Sequence, residues 1–466
     1  MNILALVKII AGELNPFDAS ALEYALRLGG DVTVVSMCPP AAERALLPLT
    51  RLGPSRVILL SDPVYAGSDT LATARILSAV VRKLRPDLVF CGRQSIDGDT
   101  AQVGPEIAAM CGMMLCTGVM QAELTDQAVH CVSRDQTVSL SLPAVLTFEK
   151  VFPLRFPSIR SRIGVVERWS NADLRLDPAQ CGWNGSPTRV LQTFENTQGR
   201  RHCRRITYAQ LPEVLHHART ALTGETKPVP AAHPLNRILA VGDAVLPHAR
   251  ALAKDVIAVA EAEPAVLLRK IRETDPDAVL WNADAWGRST APQVAALLET
   301  GLCADCTGLE TDGVRLLMIR PARGGNIMAK IECRSRPQMA TVRTKAACSE
   351  WMVSAGKGIA DQVSALRTAV RALGGESGAS RGLVDSDGAS YAEQVGLTGR
   401  TVAPAIYIAI GISGAVHHTC AIESAGTIVA INPDPEARIF DYADYGIVAD
   451  YDPDAFIAAI RSEFGC

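Results

Sequence analysis

Between residues 374 and 446, five glycine-bearing segments follow one another with almost no filler: GGESGASRG, QVGLTGRTVAP, GISGAVHH, AINPDPEARIF and DYADYG. Gly375, Gly378, Gly396, Gly399, Gly411 and Gly414 mark places where backbone must turn with positive φ or approach another group closely, which a Cβ resists. The apolar runs TVAPAIYIAIGI and GTIVAINP read as strands buried on both faces. In an open parallel sheet the loops after such strands lie at the carboxyl edge, where ligands bind. Ser380, Arg381, Gln394, Thr398, Ser413, His418, Asn432 and Asp444 gather there. Hydroxyls and bare backbone at a helix start suit a pyrophosphate. One cation beside a few hydroxyl or imidazole groups suits a flavin ring. The segment therefore reads as a dinucleotide-binding half-domain.

With 466 residues, 48% of them hydrophobic, the chain can bury a large core and should hold two or three domains. A net charge of -3 gives no electrostatic case for nucleic acid or an anionic membrane surface. No apolar run reaches spanning length, and NILALVKIIAG, with Lys8 inside it, reads as a first strand rather than a signal peptide. A cytoplasmic protein without membrane insertion is expected, its 13 cysteines mostly free thiols. The one CxxC, Cys303-Ala-Asp-Cys306, has no second pair to complete a zinc or iron–sulfur site, so its thiols read as structural and no metal is expected.

Two stretches share one grammar. In the first, NILALVKII, DVTVVSMC, RVILL and PDLVFCG read as strands, and GSDTLATARILSAVVRKL as an amphipathic helix opened by Ser68, Asp69 and Thr70. The second, residues 237–300, repeats the pattern, and PDLVFCGRQSIDGDTAQVGPEIAAM aligns by eye with PDAVLWNADAWGRSTAPQVAALL. Duplicated α/β units are expected. Residues 196–236, with TQGRRHCRRI and TGETKPVPAAHP, read as a linker carrying one short helix around YAQLPEVLHHARTAL. The fold class is α/β with parallel, Rossmann-like sheets. The expected units are 1–195, a linker at 196–236, 237–337 and a doubly wound C-terminal unit at 338–466.

These segments resemble the electron transfer flavoproteins along nearly the whole chain. The N-terminal half is similar to the small (beta) subunit through NPFDASALEYALRL, GRQSIDGDTAQVGPEIA, PAVLTFEK and GSPT. The C-terminal half is similar to the large (alpha) subunit through ADCTGL, RPARGGNIMAKI, RPQMATVR, GGESGASR, QVGLTGR, GISGAVHH and ADYG. Both subunits are fused in one polypeptide, small first. The resemblance implies an adenine-nucleotide-hydrolase-like fold for the N-terminal unit and an FAD-binding C-terminal unit.

By that resemblance, Arg381 lies beside the flavin and stabilises its reduced, anionic forms, Thr398 bonds near N5, and His418 sits near the pyrimidine carbonyl. Ser380, Gln394, Val395, Gly396, Gly411, Ser413, Gly414, Asn432 and Asp444 match positions that hold the ring, ribityl chain, pyrophosphate or adenosine. A second nucleotide, AMP or another FAD, falls to Ser68, Asp69, Thr70, Asp97, Gly98, Asp99, Thr100 and Gln102, two helix starts whose amides attract anions. The implied activity is electron transfer from flavoprotein dehydrogenases, such as the acyl-CoA dehydrogenases of fatty acid β-oxidation, to another redox protein. No catalytic nucleophile or base is called for. One alternative is an NADH-dependent, electron-bifurcating protein with two FAD. The other is a redox-inactive regulatory module.

Three departures from the family pattern qualify the carry-over. Leu397 stands where glutamine is usual, and Glu376 replaces a small or apolar residue and would oppose flavin reduction if it faced the ring. In FPLRFPSIRSRIGVVERWSNADL, the place of the partner-docking loop, a lysine-rich pattern gives way to Arg160, Arg162 and an apolar GVV.

Overall fold

The computed structural model describes residues 1–125, 128–133, 136–195, 200–220, 230–322, 327–344, 349–397 and 399–465. They form two compact units. The first draws on residues 1–194 and 228–343, the second on 195–227 and on the chain from 344 onward.

The first unit holds a nine-stranded sheet. Its strands are β1 (Asn2–Leu6), β2 (Asp31–Met37), β3 (Arg56–Leu60), β4 (Leu88–Gly92), β5 (Met114–Leu124), β6 (Ala128–Ser133), β7 (Thr137–Ser141), β8 (Ala144–Phe148) and β9 (Val166–Trp169). Their order is β9-β3-β2-β1-β4-β8-β5-β6-β7, parallel as far as β5 and antiparallel beyond it. The parallel strands carry near-continuous Val, Ile and Leu because helices cover both faces. Helix α1 (Pro16–Leu28) starts on a proline and stops at Gly29, whose φ is 75°. Helix α2 (Thr70–Leu84) begins because the Asp69 carboxylate accepts the Ala72 N–H, and it ends at Arg85 in the left-handed region. Its Ile76 and Val80 are fully buried, each contributing roughly 1.5–3 kcal/mol. Helix α3 (Val103–Cys111) has no side-chain cap at its start.

The five-stranded sheet of the same unit is wholly parallel. Its strands β10 (Leu235–Val241), β11 (Ala253–Val259), β12 (Ala278–Asn282), β13 (Leu302–Cys306) and β14 (Gln338–Val342) run in the order β11-β10-β12-β14-β13. This is the order of β2-β1-β4-β8-β5, so the shared grammar is a shared topology. Helix α4 (Ala285–Leu298) is the counterpart of α3 and packs against it. A smaller sheet joins Thr188–Glu195 to Ile327–Cys333, Leu316–Ala322 and Gly308–Thr311.

In the second unit, β15 (Trp351–Ala355), β16 (Glu376–Ala379), β17 (Ile406–Ile410), β18 (Thr427–Ile431) and β19 (Tyr445–Ile447) form a parallel sheet ordered β19-β18-β17-β15-β16. Two residues, Arg204–Arg205, extend it beyond β19. Of the segment expected to be a linker, 196–236, the described residues 200–220 are built into this unit. Ile206, Leu211, Val214, Leu215 and Ala218 share a core with Phe456 and Ile460. The Arg201 guanidinium donates to the Glu423 and Ala425 carbonyls and to the Asp444 carboxylate. Charge and proline disguise this segment, but its helix Leu211–Thr220 has a fully apolar inner face. Among the described residues, no helix is long and apolar enough to cross a membrane, and no group of three His, Cys, Asp or Glu side chains could hold a metal. Cys303 and Cys306 are buried on β13, where the Cys306 thiol donates to the Cys303 carbonyl at 3.6 Å.

Candidate functional site

Numbered within the second unit, the sheet runs 5-4-3-1-2, so the direction of chain crossing reverses between β15 and β17. A crevice opens at the carboxyl ends of strands at such a reversal. The loop after β15 is Gly356-Lys357-Gly358, and the loop after β17 is Gly411 to Gly414. They press backbone to backbone: the Gly356 N–H donates to the Ile410 carbonyl at 2.7 Å, and a Cβ on Gly356 would strike the Gly411 carbonyl. Gly414 has φ of 83°, and a Cβ there would strike the backbone of Ile439. By contrast, Gly375 and Gly378 are needed for packing against the Trp351 ring and against Met352 and Ser354, not for a turn.

Ser413 is exposed on this rim, and so is the Lys357 ammonium, which the sequence reading missed although GKG follows an apolar strand. Ser380 caps the short helix Arg381–Val384 by accepting the Leu383 N–H, and places Arg381 at its first position. The Arg381 guanidinium lies 3.2 Å from Asp385. Asn432 is buried behind the rim. Its Nδ2 donates to the Ile412 carbonyl and its Oδ1 accepts the Asp434 N–H, both at 2.9 Å, so it braces the β17 loop. Gln394 and Val395 are buried and Gly396 turns with φ of 152°. Thr398 lies outside the described residues.

Two expected residues make their hydrogen bonds within the protein. The His418 ring is buried: Nδ1 donates to the Val395 carbonyl at 3.1 Å and Nε2 accepts from the Tyr407 hydroxyl at 2.8 Å. Burial pushes its pKa down to about 4, so it is neutral at pH 7. Asp444 precedes β19, at the amino edge of the sheet, where it accepts the Ile428 N–H at 2.8 Å. The carboxylate beyond the other end of β19 is Asp450, exposed on the ligand edge. Glu376 opens β16, also at the amino edge. It is paired with Arg400 and accepts the Ser349 N–H at 3.1 Å. It therefore does not put charge on the rim.

In the first unit the reversal falls between β1 and β4, and a cleft of about 680 Å³ opens there. Ser68, Asp69, Thr70, Gly98, Thr100 and Gln102 all line it, together with Lys8, Asn15, Asp18 and Arg93, which the sequence reading did not single out. Asp69 is spent on structure, accepting from Ala72, from the Thr188 amide at 2.9 Å and from the Thr188 hydroxyl at 2.7 Å. Asp97 pairs with Lys8 at 2.8 Å. Asp99 is buried, accepts from Gln94 at 3.0 Å, and offers its carbonyl to Arg320. Asp99 and Ala101 both take positive φ, 51° and 56°, strain that turns the loop into the start of α3. The Asp18 carboxylate accepts the Lys8 and Gly92 N–H groups at 2.8 and 2.7 Å. Burial outweighs those bonds and raises its pKa to about 6. Asn15 has a buried Oδ1 with no partner among the described residues, an acceptor waiting for a ligand N–H.

The fold and its two crevices define a doubly wound nucleotide-binding protein. The chain belongs to the electron transfer flavoprotein family. The electron transfer flavoprotein domain matches residues 3–174 and again 221–374, and the electron transfer flavoprotein FAD-binding domain matches 347–423. It is 40% identical to the electron transfer flavoprotein subunit alpha of Thermoanaerobacterium thermosaccharolyticum, over 38% of this chain and 68% of that one. It is also 40% identical to the subunit beta of Clostridium acetobutylicum, over 39% of this chain and 74% of that one. The caffeyl-CoA reductase-Etf complex subunit CarD of Acetobacterium woodii is 38% identical over 39% of this chain and 75% of its own length. Both subunit types are thus represented in one electron-carrying polypeptide.

The residues fit FAD on the second unit. Ser413 supplies a hydroxyl on the rim, and Lys357 and Arg381 supply positive charge for phosphate or for the electron-rich ring.

Proposed function

We propose that the chain is a carrier that holds FAD on the carboxyl edge of the β15–β19 sheet and an adenine nucleotide in the N-terminal cleft. In this reading it takes electrons from flavoprotein dehydrogenases, such as acyl-CoA dehydrogenases, and passes them to a second redox protein. The flavin supplies one- and two-electron chemistry when bound. The chain's own part is to bind, orient and tune. Lys357 and Arg381 favour the more negative form of the group beside them, and Ser380, Gln394, Val395, Gly396, Thr398, Gly411, Ser413 and Gly414 complete its surround. His418, being neutral, acts by fixing Val395 and Tyr407 rather than by charge. The observation that carries the proposal is the exposed pair Lys357 and Ser413 on the loops of the β15/β17 reversal, within a match to an FAD-binding domain.

Docking is assigned to residues 152–165. Phe156 is 96% and Ile159 99% exposed, two large apolar side chains close together in the chain with Arg160 and Arg162 beside them, the kind of patch a partner covers. Val165, at 83%, extends the same surface.

A second reading is favoured by the cleft itself. Its volume of about 680 Å³ lies in the range of drug-sized ligands, and the orphan Asn15 acceptor asks for a ring or amide N–H. A second FAD there would make the chain an NADH-dependent, electron-bifurcating protein. Nucleotide released from the purified chain by denaturation and separated by chromatography decides between them. One FAD, alone or with one AMP, supports the simple carrier. Two FAD support bifurcation, and no flavin after reconstitution overturns both.

A further inference from the structure

Behind the cleft wall stands a carboxyl group that the nucleotide reading does not use. Glu106, in the first turn of α3, is 1% exposed. Its Oε1 lies 3.1 Å from the Thr70 hydroxyl, and that hydroxyl lies 2.8 Å from Gln102 Oε1. Gln102 Nε2 donates to the Leu302 carbonyl at 3.0 Å, which fixes the amide with its oxygen toward Thr70. Thr70 has one proton and two acceptors in front of it. If Glu106 were ionised, one of these contacts would set two oxygens together without a hydrogen. A proton on Glu106 closes the chain: the carboxyl donates to Thr70, Thr70 donates to Gln102, and Gln102 donates to Leu302.

We infer that Glu106 is a positioning residue held in its neutral form, which orients Thr70 and keeps the start of α3 free of negative charge, so that anion binding in the cleft is linked to a proton. This rests on the reading that a nucleotide phosphate occupies the cleft.

The surroundings agree. A helix start favours a carboxylate only weakly, whereas burying one unpaired is costly. Burial and the neighbouring Asp69 charge accordingly hold Glu106 well above the usual carboxylate range, against smaller opposing pulls from the Thr70 hydroxyl and from Arg75. Of the other elements packed on α3, β8 carries no charge, β5 carries only the exposed Glu123, and Arg288 of α4 is engaged by Asp305 at 3.0 Å. Glu106 Oε2 has no partner among the described residues. In the cleft lining the remaining charged groups are Asp18, Asp62, Lys8, which is paired with Asp97, and Arg93, which is paired with Glu149.

The test uses the full chain stripped of nucleotide, with AMP as the probe, titrated calorimetrically between about pH 7 and pH 9. Asp18, at about 6, stays ionised across this window. The wild-type affinity is expected to fall by up to about tenfold per pH unit once Glu106 begins to ionise, and Glu106→Gln to bind with a flat profile. Infrared difference spectra supply a second readout: a protonated-carboxyl carbonyl band present at pH 7 in the wild type and lost in Glu106→Gln. Superimposable pH profiles, or no such band, overturn the inference while the nucleotide reading stands. A wild type that binds no AMP at any pH overturns the nucleotide reading instead, and a wild type without the protonated-carboxyl band at pH 7 overturns the inference even if the variant does not fold.

Discussion

Asp305→Asn tests the electrostatics of the first unit most directly. Asp305 is 8% exposed at the end of β13 and holds Arg288 at 3.0 Å and Arg343 at 3.3 Å. Despite burial, which alone would raise it, the Arg288, Arg343 and Arg320 guanidinium groups hold its pKa down at about 2. Against an ordinary value of 3.8 that is roughly 2 units, or about 2.5 kcal/mol of stability at pH 7. Removing one partner of a buried pair typically costs about 3–5 kcal/mol, because the stranded charge keeps its desolvation penalty. Asparagine tolerates the left-handed backbone at this position, φ 56°, so the substitution changes charge without adding strain. A loss of about 3 kcal/mol follows, lowering the calorimetric transition of the first unit by roughly 6–12 °C at about 2–4 °C per kcal/mol. The sign with pH is fixed: a depressed carboxylate contributes above its unfolded pKa and loses that contribution as pH falls through its folded one. The gap between variant and wild type should therefore be constant from neutral pH down to about 4 and close only toward about pH 2. A shift below about 1 °C, or a gap that widens in acid, refutes the reasoning.

Other outcomes are expected from the same geometry. Lys357→Ala should weaken FAD retention by about tenfold, read by fluorescence of flavin released on dilution, since it removes one charge-assisted contact worth about 1.5 kcal/mol. Tyr407→Phe should cost about 1–3 kcal/mol in denaturant melts of the second unit, because His418 Nε2 is left buried without a donor. Leu215→Ala should destabilise that same unit by about 2–5 kcal/mol, and an unchanged melt would return residues 204–220 to the status of a spacer. Asp18→Asn should flatten a loss of stability that the wild type shows as pH rises from about 4 through about 6, the sign of a carboxyl whose folded pKa is raised.

The α/β class, the parallel sheets and the duplicated grammar were legible because buried parallel strands write themselves as unbroken Val, Ile and Leu runs, and because the two copies place hydroxyl and glycine residues alike after β4 and β12. Ser413, Arg381 and the Ser68–Thr70 helix start fell where their motifs implied a loop at the carboxyl edge. Asp444 did not. ADYG marks the beginning of β19, and a short strand reverses which edge a neighbouring residue occupies within four positions, so Asp450 holds the ligand side. The state of His418 was not legible for a different reason: of two adjacent histidines on the four-residue helix Val416–Thr419, His417 is exposed and His418 buried, and burial is set by the fold rather than the motif. Lys357 and Asn15 were missed because one lysine between glycines and one asparagine before a proline are common, and their meaning comes from the sheet order that brings distant loops together.

The path of the chain between the two units sets a timetable for synthesis. It leaves the first unit near residue 194, contributes 195–227 to the second, returns for 228–343, and leaves again at 344. On a ribosome, which releases residues in order, Leu211, Val214 and Leu215 emerge before the strands and the helix Pro453–Phe464 that cover them exist. An apolar helix face must therefore stay open while more than half the protein is made. No single cut yields both units whole, and a nascent chain stalled between residues 228 and 343 is the species on which a chaperone would be expected to act.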